Sequence, residues 1–395
     1  MKINIEYTTN DNAEESGNTI AKKAVLDLVQ TKLAVIFSSE KYNTFNLLKG
    51  AKSILGTAPI IGCTTQKGII TRDGFITSKN GFAGIMAIGD METAVGTAIS
   101  DKVVSARDTG RKIAKMAKNK VNPDCNPSYF MLITTPGEEE EYLKGVQDEI
   151  GDVPCFGCVA ADENNNGNWR IYTEDGISEN GACVAFFYTN KEIKNLVDGK
   201  YHETIHSGII TNKEGDFEID EINGIQALKQ YAEWLNLKTK DLKGEKITKY
   251  SSLKPLGVKS YDGDFYIIKE PLNGNTDYSI NVANKISTNM GIVQMQISKE
   301  EIAKSPSLII RDLNKTLLNE PTAYLILHST KRFDEIYSTK DSKLMDNLVE
   351  KLKEETKDLP FLLTFTNGEI GRNNHSANLC ENLSISATAF ASPKE

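Results

Sequence analysis

The sequence predicts an α/β fold of mixed sheets flanked by helices, arranged as two lobes built from three related strand-helix-strand-strand units. Three observations predict it. Apolar runs such as "LAVIF" and "YFMLI" recur without charge, which marks strands buried on both faces. The charged stretches between them carry apolar residues at helical spacing, for instance Leu344, Leu348 and Leu352, so they cover a sheet. The same order of elements also occurs three times along the chain.

The elements follow in order. A polar opening segment at residues 10–17 leads into a helix at residues 18–30. Unit one then runs from "LAVIFSS" (33–39) through the helix "FNLLKGAKSIL" to "APIIGCTTQKG" (58–68) and the closing strand "NGFAGIMAIG" (80–89). In unit two a helix (105–121) precedes "YFMLITT" (129–135), "EEEEYLKGVQDEIG", "VPCFGCVAAD" (153–162) and "NGACVAFFY" (180–188). In unit three a helix spans 298–318, where Pro306 either kinks it or begins a second helix. There follow "AYLILHST" (323–330), "SKLMDNLVEKLKEE", "LPFLLTFTNGEIG" (359–371) and "NLSISATAFA" (382–391). Proline at a strand start costs no ladder bond. A lysine-rich linker is expected at 235–252, and "DFYIIKEP", "DYSINVAN" and "GIVQMQIS" read as strands separated by Asn- and Gly-rich turns.

Bulk composition narrows the function. The 395 residues are 39% hydrophobic and 25% charged, ordinary for a globular chain, and long enough for two or three domains. The net charge is −8 and no basic stripe stands out, which argues against nucleic acid and anionic membrane as partners. The first residues lack an apolar signal region, and no apolar run could span a bilayer. Six cysteines in so long a chain do not form a disulfide scaffold. A cytoplasmic, reducing location is expected.

One string is sharper than the rest. His202-Glu203-Thr204-Ile205-His206 fits the zinc-protease pattern H-E-x-x-H. That chemistry needs a helix, so that two histidines share one face and the glutamate serves a zinc-bound water. Here Gly199 and Gly208 bracket the string, and Thr204, Ile205, Ile209, Ile210 and Thr211 favour a strand. Only His328 and His375 remain as further histidines. No metal is expected. Other strings are weaker still. Cys155 and Cys158 form a CxxC inside a strand, where alternation points the sulfurs to opposite faces. Residues 162–167 open like a calcium loop but reach Thr173 where Glu is required. "GEEEEY" (137–142) suits the first turn of a helix. The glycine spacing after Gly62 lacks the Lys-Ser/Thr of a phosphate loop, and no cofactor is expected.

Several of these stretches resemble the FIST (F-box and intracellular signal transduction) family. "IIGCTTQKG" and "FGCVAADENNNG" are similar to its N-terminal pattern, as is "HSGIITNKEGDFEIDEINGIQALKQYAEWLNL" later on, which again puts His206 in a strand. "PLGV" (255–258), "IIKEP", "LHSTKRF" and "LTFTNGEIG" are similar to the C-terminal pattern. In the family Cys is frequent at Ser329, Arg at Lys269 and Gly at Cys158. The resemblance implies a FIST N-terminal-like domain over 1–235, with internal repeats at 18–89 and 92–188, and a C-terminal-like domain over 236–395. It implies a sensory module for small ligands such as amino acids, read by a downstream signalling protein.

Strand ends are where α/β folds place ligand groups. Gly62, Cys63, Thr64 and Thr65 offer backbone N–H groups, hydroxyls and a thiol in a turn, or a small-residue turn needed for packing. Arg332 presents a planar fork for a carboxylate, and Glu369, between Gly368 and Ile370, an acceptor for an ammonium; the two also suit a structural pair. With Lys269 these residues are the expected binding site. His328 and His375 either line it or pack. The alternative function is a cysteine-dependent enzyme acting on a small amide or thioester through Cys63 or Cys158, with a metalloprotease as the third reading.

Overall fold

Each repeat folds around one pair of parallel strands joined by a helix. The computed structural model describes residues 1–164, 166–260, 265–339, 342–373 and 377–393. In unit one, β1 (Lys2–Thr8) leads through α1 (Ala13–Ala24) to β2 (Thr31–Ser39), α2 (Thr44–Leu55), β3 (Ile60–Thr71) and the closing β4 (Ala83–Gly89). Unit two repeats the plan with β5 (Ala94–Asp101), α3 (Ala106–Val121), β6 (Tyr129–Thr134), α4 (Glu139–Ile150), β7 (Cys155–Val159), the short β8 (Ile171–Thr173) and β9 (Gly181–Tyr188). Unit three starts with β10 (Glu192–Asp198) and is then interrupted.

The interruption is a β-rich module. It holds β11 (His202–Glu214), β12 (Glu218–Ile222), α5 (Ala227–Trp234), β13 (Leu256–Lys259), β14 (Tyr266–Lys269), β15 (Pro271–Gly274), β16 (Ile280–Val282) and β17 (Gly291–Gln296). Its strands form one sheet in the order β15-β16-β12-β11-β17-β13-β14. Unit three resumes with α6 (Lys299–Asn314), β18 (Glu320–Ser329), α7 (Thr330–Tyr337), α8 (Ser342–Thr356), β19 (Phe361–Thr366), β20 (Gly368–Arg372), β21 (Asn378–Glu381) and β22 (Ile385–Ser392).

The parallel pairs are β2 with β3, β6 with β7 and β18 with β19, and each closing strand runs antiparallel beside the first of its pair. The units then trade strands. The far end of β3 pairs with β19, β20 pairs with β7, and β8 pairs back onto β3. Units one and three thereby share one large sheet, β1-β4-β2-β3-β19-β18-β22-β10. Unit two builds the core of a second, β21-β20-β7-β6-β9-β5.

The two sheets pack face to face. Val35, Phe37, Ile61, Leu325 and Phe390 from one meet Met131, Phe156, Cys183 and Phe187 from the other in one buried cluster. Helices cover only the outer faces, α1 and α2 on unit one, α3 and α4 on unit two, and α6 to α8 on unit three. The apolar runs are therefore buried on both faces, as their composition requires, by helices on one side and by the second sheet on the other.

Two helix pairs touch backbone to backbone. A Cβ added at Gly17 would lie 1.9 Å from the Leu47 carbonyl oxygen, and one at Gly50 1.9 Å from that of Glu14. In unit two, Gly110 and Gly145 occupy the matching places, at 2.3 Å from the Tyr142 oxygen and 2.0 Å from the Arg107 oxygen. These four glycines set the crossing of α1 on α2 and of α3 on α4.

Three expectations need correction. Residues 62–65 lie within β3 rather than in a turn, because β3 continues to Thr71 to reach β19. The lysine-rich segment at 235–252 is not a free linker, since Leu242 and Ile247 are fully buried in the core of the β-rich module. Pro306 does not begin a second helix, for α6 runs unbroken from Lys299 to Asn314 behind a Ser298–Glu301 capping box.

Candidate functional site

The carboxyl ends of the parallel pairs in units two and three open into one cleft of about 620 Å³, roofed by the β-rich module. Local sequence explains why it opens there. α1, α2, α3 and α6 each begin under a side-chain cap from Asn12, Asn43, Ser105 and Ser298. α4 begins without one, at Glu138, and its first turn faces the cleft. Gly137, at φ 124°, bends the chain so that its N–H donates to Glu139 Oε1 at 2.8 Å. Burial pushes the Glu139 carboxyl above its usual range.

The floor comes from unit three. The Asn367 side chain donates to the Ala160 carbonyl at 3.1 Å, which ties the end of β19 to the end of β7. Lys331, in the first turn of α7, donates to both oxygens of Glu270 at 2.8 and 2.7 Å. Glu270 is fully buried, so this pair joins the β-rich module to the sandwich. Lys285 on the module side pairs with Glu141 of α4 at 3.0 Å.

Two acceptors in the cleft wall have no donor. Glu381 is 2% exposed, and neither carboxylate oxygen makes a well-formed hydrogen bond, although the Ile268 backbone lies close. The Asn284 side chain is 8% exposed and its Oδ1 is likewise without a partner. Burial pushes the Glu381 carboxyl well up, Asp198 adds to this, and Lys269 opposes it. Glu381 also sits directly opposite Glu369 across the β20–β21 pair, so two carboxyl groups share one face of the sheet.

The residues singled out in the sequence lie around this cleft or beneath it; none of the eight lines it. Gly62 packs under Tyr172, where a Cβ would lie 2.5 Å from the ring. Cys63 is fully buried between the sheets, 3.8 Å from the Cys158 sulfur, and burial drives its pKa up. Thr64 Oγ1 accepts from the Arg170 N–H at 2.9 Å, and Thr65 Oγ1 accepts from Thr364 at 2.8 Å. Both hydroxyls are thus engaged by protein.

Arg332 and Glu369 lie within electrostatic reach of each other, while Lys269 neighbours Glu140 and Glu381. Lys269 is 7% exposed, and burial lowers its pKa against the pull of Glu140 and Glu381, both in the cleft wall. Arg332 is fully buried, donates to Ser305 Oγ at 2.9 Å and lies 5.4 Å over the Tyr201 ring. Its Nε and Nη1 have no partner. Glu369 makes no direct ion pair with it. Instead Thr366 donates to Oε1 at 2.8 Å and the Ser384 hydroxyl to Oε2 at 3.0 Å, beside the Gly368 backbone. Burial still pushes Glu369 up to about 8, with the Arg332 charge as a minor opposing influence. His328 is buried against Phe333 and Phe365, and burial lowers its pKa to about 3, so it is neutral. His375 lies outside the described residues.

The remaining strings resolve simply. "HETIH" begins β11, as expected of a strand. Histidines four apart in a strand stand about 13 Å apart along it, too far to share an ion. His202 contacts Glu301 at 3.1 Å and His206 stacks on Trp234. Cys155 faces α3 and α4 while Cys158 faces the inter-sheet core, as alternation required. The Asp162 oxygens accept N–H groups from Asn166 at 3.1 Å and Asn168 at 2.6 Å within the loop; Asn165 lies outside the described residues. The acidic "EEEEY" stretch forms the first turn of α4.

Sequence reasoning missed Glu381, Asn284 and Lys331. Lys331 and Asn367 are each one residue from a singled-out position, and Glu381 is the cross-strand partner of another. At these positions the side chain that faces the cleft is the neighbour of the one singled out.

Among the described residues no helix is long and apolar enough to cross a membrane. No curated protein matches the chain. Among solved structures, PurLQS from Thermotoga maritima aligns at 8% identity over 99% of this chain and 72% of that one, with a TM-score of 0.23, which is too low to carry an argument. The FIST N domain matches residues 32–225 and the FIST C domain matches residues 227–372. The glycine-rich strand ends, the Arg332 segment and the Gly368–Gly371 element all fall inside those spans, and the chain belongs to the FIST family of signal-transduction domains.

Proposed function

We propose that this chain is a non-enzymatic sensor that binds a small amino-acid-like molecule in the cleft between the sandwich and the β-rich module, and passes the bound state to a signalling partner in the cytoplasm. One observation carries the reading. The cleft sits at the carboxyl ends of two parallel strand pairs and beside an uncapped helix start, with buried, unpartnered polar groups in its wall. The α4 N–H groups suit a ligand carboxylate, and the acidic wall suits an ammonium. Lys269, Arg332 and Glu369 act from beneath, setting the field at the floor. A ligand that touches both bodies shifts the equilibrium between their relative positions, which is what a partner would read.

The buried thiols weigh against the cysteine-enzyme alternative. A nucleophilic thiol needs a lowered pKa and access, and Cys63 has neither. The test is a thermal-shift screen of amino acids and small organic acids. A ligand raises the midpoint with the logarithm of its concentration. Flat curves across the set would overturn the proposal.

A further inference from the structure

We infer that Glu381 and Asn284 form the subsite that receives a ligand's ammonium group. The inference rests on the cleft assignment above and names the chemistry that fills it.

The supply of free acceptors decides the sign. Glu381 offers two oxygens without a well-formed hydrogen bond, and Asn284 offers one more; both side chains are more than nine-tenths buried in the same cleft wall. An ammonium carries three donors and no acceptor, which suits a wall whose buried polar groups are acceptors short of donors. The cationic groups of the wall are already taken. Lys331 spends its charge on Glu270 and Lys285 on Glu141. A negative group placed at Glu381 itself finds no unpaired lysine in the lining to hold it there.

The surroundings sharpen the argument. Glu381 faces Asp198 on β10, Glu369 on β20 and Lys269 on β14. Lys269 opposes the upward push on Glu381 but forms no ion pair with it within 4 Å. A buried carboxylate with unused lone pairs is costly unless a donor arrives. A ligand ammonium supplies that donor and the missing charge together.

The test has two arms. Crystals soaked in methylammonium chloride are expected to show the cation within hydrogen-bond distance of Glu381, and crystals of Glu381→Gln to lose it. Density elsewhere, or none at Glu381, overturns the inference whatever the fate of the sensor proposal. In the second arm, titration calorimetry compares amino acids with their des-amino acids. Glu381→Gln is expected to weaken amino-acid binding about tenfold or more and to leave des-amino binding within about twofold. Equal loss for both, or for neither, overturns the subsite while leaving the cleft as a binding site. Methylammonium at Glu381 with no amino acid bound anywhere overturns the sensor proposal alone. Circular dichroism controls the fold, and the variant, having lost a buried unpaired carboxyl, should melt no lower than the parent.

Discussion

Units one and two are built alike, yet only the strand end of unit two opens into the cleft beneath the β-rich module; unit one has a separate hollow of about 440 Å³ at its β2–α2 turn. Both cross their helices through paired glycines, and both carry a parallel strand pair with a closing antiparallel strand. At the strand ends they part. In unit one the segment around Arg170 and β8 lies across β3, taking the Thr64 N–H, carbonyl neighbourhood and hydroxyl into protein hydrogen bonds. In unit two β7 ends at Val159, β20 arrives beside it, and the space beyond stays free. A repeat thus keeps its packing rule in every copy, while the fate of its strand end depends on what a neighbour lays over it.

The largest expected effect tests the shared part. Gly50→Leu and Gly145→Leu should each cost roughly 3 kcal/mol or more, because the intruding atoms meet backbone that cannot yield. Urea denaturation and soluble yield report it, and tolerance in one unit alone would break the equivalence. Next comes pH. The folded chain holds the Glu369 proton up to about 8, whereas the unfolded chain releases it in the ordinary carboxyl range. The folded state therefore binds more protons between those limits, and stability falls as pH rises from about 5 to about 8. The loss is on the order of 2–4 kcal/mol at most, and Glu369→Gln should flatten it in thermal melts at successive pH values.

Smaller effects separate the two strand ends. Lys331→Met strands the buried Glu270 carboxylate at the open end and should cost about 2 kcal/mol, moderated because Lys331 is partly exposed. At the unit-one end Lys41 pairs with Glu163, both partly exposed, and Lys41→Met should cost about 0.5 kcal/mol or less by the same denaturation assay. Equal costs would erase the distinction. Thiol labelling completes the series. Cys125 is exposed and should react first, while Cys63, Cys155, Cys158 and Cys183 should wait for unfolding. Fast labelling of Cys63 would return the enzyme reading.

Much of this fold was legible because its strands are buried on both faces and its helices are amphipathic. Each predicted helix start at residues 105 and 298 is a serine that caps its helix. What covers the second face was not legible: a sheet buried by helices and a sheet buried by another sheet demand the same apolar run. The 62–65 stretch misled for a related reason. Glycine and threonine suit a turn, but here Gly62 is small so that Tyr172 can lie on β3, a contact 110 residues distant in sequence. "GEIG" and Arg332 stood out through their glycines and charge, and their chain neighbours Asn367 and Lys331 line the cleft. Glu381 carried no local mark, since its role depends on standing opposite Glu369 after the strands pair.

The circular exchange of strands has a consequence for biosynthesis. The far end of β3 waits for β19, and β7 waits for β20, so two inner edges stay bare until residues 361–372 have left the ribosome. Neither the first unit nor the second can be released as a finished body, and a nascent chain stalled before residue 361 presents two apolar ribbons to the cell. Both edges are covered only when the third repeat arrives.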